Sequence, residues 1–113
     1  MFHSEIEFLK HIRDEAQFIL EHNRDLSKDE FLRDEVFKRA STRSLEIIGE
    51  AVKNLSNEFR DRYPNVEWKK IAGTRDVLIH DYMTVDYDLV WEIVQKKIPE
   101  LYNAILIIVN DIP

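Results

Sequence analysis

Apolar residues recur at steps of three and four along most of this chain, which is the spacing that lines one face of an α-helix. Such a run predicts a first helix over residues 2–22. Its buried face would consist of Ile6, Leu9, Ile12, Ala16 and Ile19. Helix breakers are scarce, since the 113 residues include two glycines and three prolines. An all-β domain needs more turns than that, so the chain is predicted to be all-α.

A second, longer helix is predicted to begin at a capping box, Ser27-x-x-Glu30, and to reach about Glu58. Gly49 lies inside it, where glycine costs about 1 kcal/mol relative to alanine. We therefore expect another helix to approach closely at Gly49. The predicted apolar face consists of Phe37, Ala40, Ser44, Ile47, Ile48, Ala51, Leu55 and Phe59.

A third helix is predicted from Glu67 to about His80, and residues 81–85 are interpreted as a connection. Asp86 is the predicted N-cap of a fourth helix, in which Pro99 should produce a kink or a split. Its apolar face would consist of Val90, Val94, Ile98, Leu101, Ile105 and Ile108. Four or five helices in an up-and-down bundle, forming a single domain over residues 1–113, is the economical architecture.

The end of the chain is apolar all round the predicted helix, from Ile105 to Val109. A monomer would expose part of that surface, which implies a partner. The alternative is that the tail wraps back onto the bundle.

Composition narrows the functional classes. Cysteine is absent, which excludes disulfides and thiolate chemistry, and the four histidines lack metal-ligand spacing, so neither metal nor cofactor is expected. The net charge of −6 argues against coating nucleic acid by bulk attraction, although a local basic site could still act on RNA. No apolar targeting core or membrane-length stretch is present, so a cytoplasmic protein without membrane contact is expected.

Arg75 and His80 form the pair of residues best suited to chemistry. An arginine fork binds a phosphodiester, and a histidine exchanges protons near neutral pH. RNA supplies its own nucleophile, the 2′-hydroxyl, so such a pair could suffice without metal. On an ideal helix, however, residues five apart differ by about 140° in direction. The two side chains could converge if the helix ends or distorts near His80, or if a two-fold dimer brings two pairs together.

Each of these residues also has a simpler interpretation. Arg75 could be a surface ion-pair partner of Asp76 or Glu67, and His80 could cap the C-terminus of a helix. Lys69 and Lys70 could guide an RNA backbone or merely form a solvated face.

Other side chains are expected to be structural. Trp68 and Trp91 are interpreted as core anchors. Arg39 and Arg43 could add positive field near the site or be ordinary exposed charges. Glu46 and Glu50 are four residues apart on one helix, and ion pairing with Arg43 or Lys53 accounts for them.

Four stretches form an ordered pattern: residues 45–51 (LEIIGEA), Tyr63-Pro64, residues 68–76 (WKKIAGTRD) and residues 78–82 (LIHDY). With this pattern, which extends through residues 90–91 and 98–101, the sequence resembles the HepT-like toxins of the HEPN superfamily of ribonucleases. The likeness covers nearly the whole chain.

The resemblance implies a helical bundle that forms a homodimer, with the arginine and histidine of both subunits facing a shared cleft that cleaves RNA without metal. The family motif is arginine, a polar residue, three more residues and histidine, which Arg75, Asp76 and His80 match. In these roles His80 is the general acid or base, Arg75 stabilises the transition state, and Asp76 orients one of them.

The resemblance also implies regulation through Tyr82, two residues after the histidine. In this family such a tyrosine can be adenylylated by an antitoxin, a minimal nucleotidyltransferase of the MntA-like kind. The added phosphate would place negative charge beside the RNA site. The alternative hypothesis is a non-catalytic helical module that scaffolds or regulates a partner nucleotidyltransferase.

Overall fold

The computed structural model describes residues 3–81 and 84–112, with the backbone alone described at residues 3, 4, 80 and 81. Within these residues the protein is almost entirely helical, with three long helices that form the body of the bundle. They are α1 (His3–Asn23), α3 (Glu35–Lys53) and α7 (Tyr87–Asp111). Helix α1 packs against both α3 and α7. The all-α prediction is confirmed.

Four short helices and one small hairpin complete the described part of the chain. The helices are α2 (Lys28–Arg33), α4 (Asn57–Arg62), α5 (Trp68–Ala72) and α6 (Thr74–Leu78). Strands β1 (Ile79–Asp81) and β2 (Thr84–Val85) pair antiparallel, with Ile79 opposite Val85 and Asp81 opposite Thr84. The described residues thus contain more helices than the four or five predicted.

The predicted helix from Ser27 to Glu58 is wrong as one element, because it is divided into α2, α3 and α4. Its start is confirmed: the Ser27 hydroxyl accepts from the Glu30 N–H at 3.2 Å, and the Glu30 carboxylate accepts from the Ser27 N–H at 3.0 Å. The first break falls at Asp34, whose carboxylate accepts from the Phe37 N–H at 2.9 Å. An aspartate in this extended conformation caps a new helix instead of continuing the old one.

The predicted third helix is also wrong as one element. It is divided at Gly73 into α5 and α6, and the chain leaves helical geometry at Ile79. Residues 81–85, interpreted as a connection, belong in part to the hairpin. The Leu78 carbonyl accepts from the Asp86 N–H at 2.8 Å, which ties the base of the hairpin to the start of α7.

Helix α7 begins as predicted, since the Asp86 carboxylate accepts from the Leu89 N–H at 3.0 Å. The expected split at Pro99 does not occur, because α7 runs through it. Proline removes only one N–H donor from the helix, and the carbonyl that loses its partner belongs to Gln95, an exposed residue. Buried Ile98 and Leu101 anchor the helix on both sides of the proline.

The core lies between α1, α3 and α7 and contains most of the residues that periodicity predicted. The largest fully buried side chains include Phe31, Phe59, Leu9, Ile12, Ile19, Ile48, Leu78 and Ile105. The tail of α7 divides by face: Ile105 and Ile108 are buried in the bundle, whereas Ile107 is 70% exposed. No helix among the described residues is long and apolar enough to cross a membrane.

Candidate active site

The candidate site is built on α6 and the chain that follows it. Arg75 lies in α6, which ends at Leu78, and Ile79 is extended with φ −107° and ψ 108°. His80 therefore lies on β1 and not on the helix of Arg75. The helix ends between the two residues. Their side chains therefore need not point about 140° apart, as the side chains of residues five apart do on a continuous helix.

The position of α6 is fixed by the packing of α5 on α3. A Cβ added at Gly49 would lie 3.3 Å from the Ile71 carbonyl oxygen and 3.5 Å from that of Ala72, so the two helices meet backbone to backbone. The predicted close approach at Gly49 is confirmed. Buried Trp68 anchors the start of α5, and its indole N–H donates to the Tyr63 carbonyl at 2.9 Å.

Arg75 pairs with Glu46 of α3, whose carboxylate oxygen Oε2 lies 3.6 Å from the arginine Nε. The same oxygen lies 3.8 Å from Nη1 of Arg43. The expected partners of Arg75, Asp76 and Glu67, were therefore wrong. The reason is tertiary: the contact of α5 with Gly49 brings α6 alongside Glu46, which lies about one turn before Gly49 on α3.

Asp76 lies beside Arg75 in the first turn of α6 and is exposed. Its backbone N–H donates to the Gly73 carbonyl at 3.1 Å. The side chain forms no hydrogen bond or ion pair with the side chains that the structure describes. It therefore remains accessible to substrate or to a neighbouring catalytic group.

The other two predicted site residues lie wholly or partly outside the described residues. The backbone of His80 is placed in β1, but its side chain is not described, and Tyr82 lies outside the described ranges. Their proposed roles thus stay predictions. The two residues next to His80 pair across the hairpin that follows α6, Ile79 with Val85 and Asp81 with Thr84.

The two lysines of α5 have different surroundings. Lys70 pairs with Glu67 at 2.8 Å, and this hydrogen bond lowers the pKa of the Glu67 carboxyl and raises the pKa of the Lys70 ammonium. Lys97 of α7 approaches the same carboxylate at 3.5 Å. Lys69 is exposed and pairs with none of the carboxylates that the structure describes. Of the two, Lys69 is the better placed to bind an added phosphate.

A groove of about 500 Å³ lies between α3, the α5–α6 segment and α7. Its walls are mainly apolar, and Val77, which is 56% exposed, forms part of one wall. Ala104 of α7 also lines the groove, and exposed Ile107 is three residues further along the same helix face. An apolar surface therefore extends from α6 to the end of α7.

The remaining sequence interpretations are resolved by packing. Trp68 is buried, as predicted, and Trp91 packs on the core beside Phe31 with ring centroids 5.2 Å apart. Glu50 pairs with Lys53 at 3.5 Å, as expected. Sequence reasoning missed Glu46 as a partner of Arg75, because no local pattern links residues so far apart in the chain.

The fold and the site define a class of protein, a helical bundle with an exposed arginine on a short helix. This helix ends just before a histidine that lies on the first strand of a hairpin. Comparison with known proteins makes this class specific. The sequence profile of the family described as "Ribonuclease HepT-like" matches residues 12–108. The chain therefore belongs to the HepT-like ribonuclease family.

Named relatives agree with this family. A protein of Caldanaerobacter subterraneus subsp. tengcongensis, named as a candidate RNase, is 52% identical over 98 residues that cover 87% of this chain and 88% of the relative. A candidate RNase of Methanocaldococcus jannaschii is 44% identical over 93% of this chain and 87% of its own length. A protein of Thermococcus cleftensis, named as a probable ribonuclease HepT, is 39% identical over 89% of this chain and 92% of its own length. No solved structure matches the chain significantly.

Proposed function

We propose that the protein is a metal-independent endoribonuclease and the toxin of a toxin–antitoxin pair. The observation that carries the proposal is the placement of Arg75: it is exposed, paired with Glu46, and located on a helix that ends before His80. An exposed guanidinium can bind a phosphodiester. Because the backbone is extended at Ile79, His80 does not continue the helix that carries Arg75. Membership of the HepT-like ribonuclease family supports RNA as the substrate.

The proposed reaction is a transesterification within RNA. The 2′-oxygen forms a bond to the adjacent phosphorus and loses its proton, while the bond to the 5′-oxygen breaks and that oxygen gains a proton. The products are a 2′,3′-cyclic phosphate and a 5′-hydroxyl. His80 accepts the first proton or supplies the second. Arg75 binds the phosphate oxygens and stabilises the charge that grows on the pentacoordinate phosphorus, and Asp76 orients one of these two groups.

The active unit is proposed to be a homodimer. The mainly apolar groove and the exposed side chains of Val77 and Ile107 support this proposal, because exposed apolar surface marks interaction sites. A two-fold partner on this surface would cover the side chains of Val77 and Ile107 and place two copies of α6 in one assembly. Lys69, exposed near the groove, would then guide the RNA backbone, with Lys70 in a lesser role.

Control of the toxin is proposed to act through Tyr82. A minimal nucleotidyltransferase antitoxin would transfer AMP from ATP to the tyrosine hydroxyl and release pyrophosphate. The new phosphodiester carries negative charge, which would compete with RNA for Arg75. The position of Tyr82, two residues after His80, supports this proposal.

The test is cleavage of RNA by purified, unmodified protein in excess EDTA, beside Arg75→Ala and His80→Ala. We expect the parent alone to cleave, and to leave an RNA with a 2′-deoxy sugar at the cleavage position intact. Mass spectrometry establishes beforehand that Tyr82 carries no AMP, and circular dichroism shows that each variant is folded.

Two outcomes would contradict the proposal. Cleavage by both variants at the parent rate would remove Arg75 and His80 from the mechanism. A folded, unmodified dimer that never cleaves RNA but copurifies with a nucleotidyltransferase would instead identify the non-catalytic scaffold.

A further inference from the structure

We infer that Arg43 is a second RNA-binding residue, which contacts the phosphate next to the one held by Arg75, and that Glu46 is the positioning residue that keeps both guanidiniums side by side. The inference rests on the proposed function and extends it from one phosphate to two. It starts from a single carboxylate shared by arginines of two helices, α3 and α6.

The shared atom sets the spacing of the two cations. Oε2 of Glu46 lies 3.6 Å from Nε of Arg75 and 3.8 Å from Nη1 of Arg43. The two nitrogens are therefore separated by no more than the sum of these distances. Both distances are too long for hydrogen bonds, so the carboxylate attracts the guanidiniums without using their N–H donors. No other described side chain takes up those donors, so with respect to this part of the chain they are available to phosphate oxygens.

Exposure shows which way the charges face. The side chains of Arg43 and Arg75 are 69% and 59% exposed, whereas that of Glu46 is 23% exposed. Both cations are thus more exposed than the anion they share, so a ligand that approaches Glu46 meets positive charge before it meets this carboxylate. The chain as a whole has a net charge of −6, so a local excess of positive charge differs from the rest of its surface.

Folding stability does not account for this arrangement. An exposed ion pair three residues apart on a helix stabilises the fold only slightly, and a second arginine on the same carboxylate oxygen adds like-charge repulsion. An anion bound between the two guanidiniums would relieve that repulsion. Arginine forks match phosphate oxygens, and neighbouring phosphates of a single strand are the anions that the proposed substrate brings to Arg75.

Arg39 provides a matched control on the same helix. It is the same residue type, its side chain is 71% exposed, and it lies seven residues before Glu46, about 10 Å along the helix axis. Its Nη2 donates a hydrogen bond to Glu35 at 3.2 Å. Replacement of Arg39 therefore removes the same charge from α3 without touching the shared carboxylate.

The experiment measures binding of a short single-stranded RNA, made uncleavable with 2′-deoxy sugars, by fluorescence anisotropy at several salt concentrations. Arg43→Ala should weaken binding and lower the slope of log affinity against log salt by about 0.7, the value for one lost phosphate contact on a single strand. Arg39→Ala should leave that slope at the parent value. With cleavable RNA, Arg43→Ala should raise KM and leave kcat near the parent value.

Glu46→Gln tests the positioning role separately. It removes negative charge, so RNA binding should be equal or tighter, while kcat falls by about tenfold because Arg75 loses its orientation; a misplacement of 1 Å can cost about a hundredfold. A merely structural role would weaken binding and stability together. Urea unfolding of every variant checks that the fold is retained.

The outcomes separate this inference from the proposed function. If the parent cleaves RNA but Arg43→Ala and Arg39→Ala change the salt slope equally, Arg43 is only part of the general field and the inference is overturned. Weaker RNA binding by Glu46→Gln would overturn the positioning role. A parent that neither binds nor cleaves RNA would overturn the proposed function, and this inference with it.

Discussion

Gly49 of α3 and Ile71 of α5 meet so closely that a Cβ on the glycine would lie 3.3 Å from the isoleucine carbonyl oxygen. This contact places α5, and through it α6, against the middle of α3. It connects a single glycine to the position of Arg75. The ion pair with Glu46 depends on the same packing, since that residue precedes Gly49 on the same helix.

The two glycines of the chain should respond differently to substitution. Gly49→Val would push branched atoms into the α5 backbone, and we expect it to lower the free energy of unfolding by about 1–3 kcal/mol, the range for overpacking. At Gly73 a Cβ would meet its nearest atom, the Lys69 carbonyl oxygen, at an ordinary 3.5 Å. Gly73→Ala is therefore the control, expected to be neutral or to stabilise by up to about 1 kcal/mol. Urea unfolding measures both, and equal losses would contradict the backbone contact.

Arg75 should matter for activity and little for stability. We expect Arg75→Ala to lower kcat for RNA cleavage by about 10²–10³, the effect of losing one transition-state donor. Arg75→Lys keeps the charge but loses the planar fork, so it should restore only part of the rate. Stability should stay within about 0.5 kcal/mol of the parent, because the side chain is 59% exposed. Arg24→Ala, at an exposed arginine after α1, controls for the loss of one charge.

The apolar tail of α7 offers a test of the proposed dimer. Ile107 is 70% exposed, so Ile107→Asp should leave the fold intact and shift the mass in solution toward the monomer. Ile105 is fully buried, and Ile105→Asp should instead unfold the protein, because it buries a charge without a partner. Light scattering and circular dichroism distinguish the two effects. An unchanged dimer mass for Ile107→Asp would remove this residue from the interface.

Two neighbouring hydroxyl groups of α3 should have opposite effects on stability. The Ser41 hydroxyl is fully buried and has no hydrogen-bond partner among the described residues, so Ser41→Ala should raise the free energy of unfolding by about 1 kcal/mol. The Thr42 hydroxyl donates to the Lys38 carbonyl at 2.9 Å, so Thr42→Val should lower it by about 0.5–1.5 kcal/mol. Thermal unfolding of the two variants measures the contrast. A loss of stability in Ser41→Ala would show that its hydroxyl is satisfied in solution.

Acid should weaken the connection between α5 and α7. Hydrogen bonding from Lys70, together with the charge of Lys97, lowers the pKa of Glu67 in the folded protein. Since the folded pKa lies below the unfolded value of about 4.3, the stabilising contribution is complete above that pH and disappears as pH falls through the folded pKa. Glu67→Gln should therefore flatten the dependence of unfolding free energy on pH below that value. Urea unfolding at a series of pH values measures this dependence, and a Glu67→Gln curve as steep as that of the parent would contradict the role of this carboxylate.

Much of the fold could be predicted from the sequence because the deciding forces are local. The spacing of apolar residues identifies α1 and the buried face of α7, and Ser27 and Asp86 cap their helices with side chains only three residues from their partners. The cap at Asp34 is of the same local kind, because its carboxylate accepts from the N–H of Phe37, three residues later. It was missed because the capping box at Ser27 already supplied a helix start, and a single long helix was predicted from there.

The sequence alone determined the helical composition, most residues of the core and the close approach at Gly49, and it nominated Arg75 and His80 as candidate site residues. The tertiary structure decided that α6 ends before His80 and that Arg75 pairs with Glu46 instead of its sequence neighbours. The physical reason is the range of the interactions. Periodicity and capping act within a few residues, whereas the Arg75–Glu46 pair joins two helices that meet only because glycine at position 49 lets α5 pack onto α3.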